Sequence, residues 1–166
     1  DDDLDALSRV CETLPTIVVF GQSLYAKIVV VNQLLGEAVL PDGDDVGDSE
    51  SWRTIRLKFG PRGVCLVLPD SFVLPSDLTS FEREGQSVPR SDLELKNDDK
   101  LDPTLALSVA EVTLPHPLLK AGAQIICSST GVVLENEQLE QKVKAYCEGA
   151  VPVVIYAIEH EELSEE

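Results

Sequence analysis

The sequence predicts an α/β fold, a three-layer sandwich in which a mostly parallel sheet is covered by helices on both faces, and three observations predict it. The runs TIVVF (16–20) and AQIIC (123–127) are short and apolar, TIVVF reading as a strand buried on both faces and AQIIC as a short buried strand, and VPVVIYAI (151–158) reads as the last strand. Two other stretches repeat at helical spacing: 26–35, with Val30, Val31, Leu34 and Leu35, and 134–146, with Leu134, Leu139, Val143 and Tyr146 among Glu, Gln and Lys. Turn formers separate the two kinds of segment, so strands and helices alternate along 166 residues, enough for one domain with a real core.

Each element has its own reason. Residues 1–14 place Leu4, Leu7, Val10, Cys11 and Leu14 on one helical face before Pro15. TIVVF ends at Gly21, and a tight loop, GQSLYAK, leads into a helix from Ala26 to Leu35 that Gly36 stops. IVVV alone would suit a strand equally; the polar Asn32 and Gln33 and the length of the run favour helix. Residues 42–51 form an acidic, Gly- and Ser-rich loop with nothing to bury. WRTIRLKF and VCLVLP, separated by GPRG, read as a hairpin at an antiparallel edge of the sheet. Residues 70–103 are polar and acidic and read as loops holding at most a short helix or strand. In TLALSVAEVTL, Leu105, Leu107 and Val109 alternate with smaller residues, the period of a strand. PHPLLKAG is a one-turn connector, and the chain closes on the acidic EHEELSEE. The sheet is expected to stop short of its last strands, leaving an open edge that invites pairing with another copy.

Charge narrows the function. Thirty acidic against 13 basic residues leave a formal charge of -17, a surface that repels nucleic-acid phosphates and anionic lipid. No apolar run approaches the ~20 residues that span a bilayer, so nucleic-acid binding and membrane insertion are not expected. The cysteines Cys11, Cys65, Cys127 and Cys147 include no CxxC pair and read as buried reduced thiols, in keeping with a cytoplasmic setting.

The loop after the first strand is where an open α/β sheet places a ligand. A phosphate-binding loop reads GxxxxGK[ST]: its glycines let backbone amides curl around phosphate, its lysine reaches the terminal phosphates, and its hydroxyl holds magnesium. Here the stretch is Gly21, Gln22, Ser23, Leu24, Tyr25, Ala26, Lys27, Ile28. The first glycine and the lysine are present. Ala26 replaces the second glycine, and Ile28, which has no oxygen for a metal ion, replaces the hydroxyl residue. The second checkpoint is DxxG after a later strand, its aspartate acting on magnesium through water. AQIIC runs instead into Ser128, Ser129, Thr130 and Gly131, with Ser128 in the aspartate's place. Two positions linked to magnesium are altered together.

On these residues the chain resembles the dynamin-like P-loop GTPase superfamily. VVFGQSLYAKIVVVNQLLGEAVLP is similar to its P-loop, helix and following turn, and VTLPHPLLKAGAQIICSSTG to its strand, proline, buried strand and DxPG loop. More closely, the GQ…K…NQLLG…VLP, RLKFG…LVLP and IYAIEHEELSE segments resemble the region preceding the kinase domain in the dual serine/threonine and tyrosine protein kinase (dusty kinase) family. The resemblance implies a GTPase-like part of a larger cytoplasmic signalling kinase, partnered by other domains of that kinase or by signalling proteins. The chain itself carries no GxGxxGxV, HRD or DFG motif and is not the kinase.

The expectation is a non-catalytic pseudoGTPase domain that regulates or scaffolds a kinase, with no catalytic residue, no metal and weak or absent binding of GTP and magnesium. Two alternatives stand beside it: an atypical nucleotide switch using Lys27 without the usual magnesium ligands, and an acidic module that recruits a basic partner. His116 and His160 lack a second ligand at metal spacing. Glu111 and Asp102 read as solvated carboxylates, and Trp52 as the anchor of the hairpin.

Overall fold

The computed structural model describes residues 15–41, 51–68, 78–80, 87–128 and 152–158. The 1–14 helix, the acidic 42–50 stretch, the 134–146 helix and the 159–166 tail lie outside the described residues, as do Cys11, Cys147, His160 and Ser129, Thr130 and Gly131.

Among the described residues, seven strands form one sheet: β1 (Thr16–Phe20), β2 (Thr54–Phe59), β3 (Val64–Leu68), β4 (Leu78–Ser80), β5 (Val109–Leu114), β6 (Gln124–Cys127) and β7 (Val153–Tyr156). They lie side by side in the order β4-β3-β5-β2-β6-β1-β7. β1 pairs in parallel with β6 and β7, and β2 with β5; β2 meets β6, and β3 meets β4 and β5, antiparallel. The sheet is therefore a mixed α/β one with an antiparallel margin at β3 and β4.

That margin is not built as the sequence suggested. β2 and β3, on either side of GPRG, do not pair with each other; β5 lies between them, in register with Thr54–Phe59 on one side and Val64–Leu68 on the other. Two strand spacings are about 10 Å, well within the reach of the five steps from Phe59 to Val64. The turn sits over the end of β5: Gly60 donates its N–H to the Leu114 carbonyl at 3.1 Å, and Thr113 Oγ1 donates to the Arg62 carbonyl at 3.2 Å.

A second correction concerns 104–114. The alternation predicts strand throughout, but the strand begins at Val109, because Asp102 accepts the Ala106 N–H at 2.8 Å and closes one helical turn, α4 (Pro103–Ala106). Ser108 then donates its hydroxyl to the Leu105 carbonyl at 2.5 Å, and the leucines belong to a turn. The expected 70–103 loop also holds more than composition suggests: β4, α2 (Arg90–Leu93) and α3 (Asn97–Leu101), with Val88, Leu93 and Leu95 buried.

The main core lies on one face of the sheet. Helix α1 (Leu24–Leu35) sets Leu24, Ile28, Val31 and Leu35 against Val19 of β1 and Ile125 and Cys127 of β6. Burying each of these four side chains contributes about 1.5–3 kcal/mol. Val18 and Ile126, with Phe20 against them, form a smaller cluster on the opposite face. At the β7 edge Val153, Val154 and Tyr156 are more than half exposed. Trp52 is buried as expected, but its strand partner is Glu94 and not the β3 side of a hairpin.

Candidate functional site

Because β1 and β6 are parallel neighbours, with Val19 opposite Cys127, the turns that follow them emerge side by side. The Ser128 N–H donates to the Val19 carbonyl at 3.0 Å and locks the two strand ends together. This is the junction the sequence marks as a phosphate site.

The turn after β1 is short. Ser23 is extended, its Oγ accepts the Ala26 N–H at 3.2 Å, and its carbonyl accepts the Lys27 N–H at 3.3 Å. Serine is among the best N-terminal caps because its oxygen satisfies amides the helix leaves unpaired. Helix α1 consequently starts at Leu24, two residues ahead of the expected Ala26, and only Gly21, Gln22 and Ser23 remain outside strand and helix. A loop that cradles phosphate presents free amides to the anion. Here the Ala26 amide is already bonded within the cap.

Gly21 has a reason of its own. Its φ is +155°, and a β-carbon there would sit 2.4 Å from the Ala157 carbonyl oxygen at the end of β7. Ala157 in turn donates its N–H to the Phe20 carbonyl at 2.7 Å. Gly21→Ala is therefore expected to push β7 off β1, lowering stability by about 1–3 kcal/mol. Hydrogen exchange should show faster labelling of 153–156, and unchanged protection there would count against this reading.

Lys27 is fully buried. Its ammonium donates to the Ser128 carbonyl at 2.9 Å and to Ser128 Oγ at 3.3 Å. Burial lowers its pKa, partly offset by the neighbouring Cys127. Ile28, in the position of the magnesium-binding hydroxyl, is 0% exposed and belongs to the main core. Leu24 is buried in the same core, Ala26 packs against it, Gln22 is exposed, and Tyr25 is half exposed. The structure thus brings Gly21, Ser23, Lys27 and Ser128 to one junction and turns Ile28 away from it. As arranged, these residues do not fit a magnesium–triphosphate complex: the lysine is engaged by protein and the side chain beside it carries no oxygen.

Two residues matter more than the sequence reading allowed. Asn32 lies on the buried face of α1, where its Nδ2 donates to the Leu40 carbonyl at 2.9 Å and its Oδ1 accepts the N–H groups of Val39 at 3.1 Å and Leu40 at 2.9 Å. Gly36 ends the helix at φ +68°, and the Glu37 N–H returns to the Asn32 carbonyl at 3.2 Å. The signal was available as one amide among Ile28, Val31 and Leu35 at helical spacing. His116 caps α5 (Pro117–Lys120): its Nδ1 accepts the Leu118 N–H at 3.2 Å, so Nε2 carries the hydrogen and donates to the Leu35 carbonyl at 2.7 Å. The HP pair before an apolar turn was its signal.

Glu111 is not a solvated carboxylate. It is 12% exposed, pairs with Lys58 at 2.5 Å and lies 3.8 Å from Arg56. Arg56 continues to Gln124 at 3.1 Å and Gln124 to Thr16 at 2.7 Å, a polar chain across four strands on the face opposite the core. Cys65 and Cys127 are free thiols and buried. Among the described residues there is no group of three or more His, Cys, Asp or Glu placed to hold a metal ion, and no helix long and apolar enough to cross a membrane.

Comparison with known proteins agrees with the resemblance seen in the sequence. Dual serine/threonine and tyrosine protein kinase of Bos taurus is 31% identical over 160 residues, covering 96% of this chain. The Homo sapiens protein of that name is 30% identical over 162 residues and covers 96% of the chain. The Strongylocentrotus purpuratus protein is 26% identical over 166 residues and covers 98% of it. The chain spans 17% of the length of each of these relatives. No family model matches. Among solved structures, an oligomerised bacterial dynamin pair is similar over 86% of this chain and 21% of its own, at 17% identity and a TM-score of 0.47.

Proposed function

We propose that the chain is a non-catalytic, GTPase-like regulatory or scaffolding domain of a cytoplasmic signalling kinase, in which nucleotide binding is weak or absent. Its likeness to one segment of the dual serine/threonine and tyrosine protein kinases supports that setting. The partners this reading implies are other domains of the parent kinase or further signalling proteins.

The observation that carries the reading is the environment of Lys27. In a working phosphate loop the lysine reaches the terminal phosphates while a neighbouring hydroxyl and a water-linked aspartate hold magnesium. Here the ammonium is buried against Ser128, the neighbour is Ile28 in the core, and Ser128 stands in the aspartate's place. Phosphoryl transfer depends on stabilising charge in the transition state, so a site without a metal-binding side chain loses most of its means of catalysis. To meet a triphosphate, Lys27 would have to give up both bonds to Ser128.

Isothermal titration with GTP and with ATP, with and without magnesium, tests this. The expected result is no saturable heat at micromolar protein. Micromolar affinity that disappears in a folded Lys27→Ala variant would favour the alternative, a nucleotide switch without the usual magnesium ligands.

A further inference from the structure

Among the described residues, two buried side-chain atoms have no hydrogen-bond partner: Nε of Arg53 and Oδ2 of Asp92. One is a donor and the other an acceptor. The backbone brings their segments together, since Trp52 bridges Glu94 in antiparallel fashion and the Arg53 N–H donates to the Leu93 carbonyl at 2.8 Å. Leu95 closes the pairing with an N–H bond to the Ser51 carbonyl at 2.8 Å.

The rest of the guanidinium is engaged. Its Nη2 pairs with Asp99 at 2.7 Å, and its Nη1 donates to Ser108 Oγ and, at 3.4 Å, to the Leu105 carbonyl. Arg53 is 7% exposed, so bulk water does not complete its bonding. Asp92 directs only its other oxygen, Oδ1, to a partner, the Ser91 hydroxyl at 3.5 Å. Both charges are felt at one buried sulfur: burial drives the Cys65 thiol up to about 12, Asp92 adds to the rise and Arg53 opposes it.

An orphaned donor or acceptor in an interior is costly, and proteins satisfy such groups with internal water when two to four polar partners surround it. We propose that Arg53 Nε–H and Asp92 Oδ2 share one internal water molecule beside the Cys65 thiol. This water completes the hydrogen bonding of the buried guanidinium and ties the strand entering β2 to α2, as Asp99 and Ser108 tie it to α3 and β5.

A crystal structure of the chain at about 1.5 Å tests the proposal. The expected result is an ordered water within about 2.7–3.2 Å of both atoms. Asp92→Leu, which removes the acceptor, is expected to empty the site and lower the urea midpoint, whereas Asp92→Asn keeps an acceptor oxygen and is expected to retain the water. A dry site, a direct bond between Arg53 Nε and the Asp92 carboxylate, or a water that persists in Asp92→Leu would overturn it.

Discussion

Replacing Asn32 with alanine is expected to destabilise the protein by about 3 kcal/mol, because the buried N–H and carbonyl of Leu40 lose their partner at once and the Val39 N–H is left with the Glu37 carbonyl alone, at 3.0 Å. The N–H groups of Val39 and Leu40 and the carbonyl of Leu40 belong to residues no more than 4% exposed, so water cannot take over from the amide. Stabilities of single domains lie at about 5–15 kcal/mol, so a loss of this size leaves much of the population close to unfolding. Asn32→Leu fills the volume but supplies no partner and should be no better. Urea denaturation of the two variants checks this; a shift below about 1 kcal/mol would mean that the 36–40 turn finds its hydrogen bonds elsewhere.

The second large effect is a loss of stability in alkali, centred on Cys65. In the unfolded chain this thiol ionises near its ordinary value of 9.0, but in the folded chain not until about 12, chiefly because it is buried. Between those values the folded state keeps a proton that the unfolded state has released, so stability falls as pH rises through the window. A shift of three units corresponds to roughly 4 kcal/mol. Cys127, pushed up to about 11, acts in the same direction. Lys27 opposes it, because a lysine with a lowered pKa sheds its proton first in the folded state and so gains stability with rising pH. Cys65 is therefore the cleaner probe. Thermal melts from pH 8 to pH 12 should show a steep decline in the wild type and a much shallower one in Cys65→Ala; parallel declines would contradict the assignment.

Much of this structure was legible in the sequence. The apolar runs that became β1 and β6 read as buried strands, the run that became β7 read as a strand although Val153, Val154 and Tyr156 are more than half exposed, and Gly36 marked the end of α1 because a positive φ there suits glycine. What local pattern could not supply was pairing. GPRG between two apolar runs looks like a hairpin whether the strands touch or whether a third, 41 residues further along, slips between them; Leu68 opposite Val109 is a contact only the folded sheet reveals. The leucines at 105 and 107 misled for a related reason, since alternation also occurs in a turn when a neighbour such as Ser108 bonds back to it.

The site divides in the same way. Which positions differ from the GxxxxGK[ST] and DxxG patterns was readable one by one at Ala26, Ile28 and Ser128. That Lys27 is bonded to a residue 101 positions away was not, because the contact exists only once β1 and β6 lie side by side. Ser23 was read as part of the loop; as a cap it starts the helix early and shortens that loop to three residues. Asn32 and His116 each had a readable sign, yet their partners at Leu40 and Leu35 depend on how the turn folds back.

The most direct measurement is a structure grown with excess GTP and magnesium. The expected result is Lys27 Nζ still on Ser128, Ile28 still in the core, and no triphosphate over the turn at 21–23. Density for a GTP–metal complex at that turn, with the lysine swung away from Ser128 onto its phosphates, would contradict it.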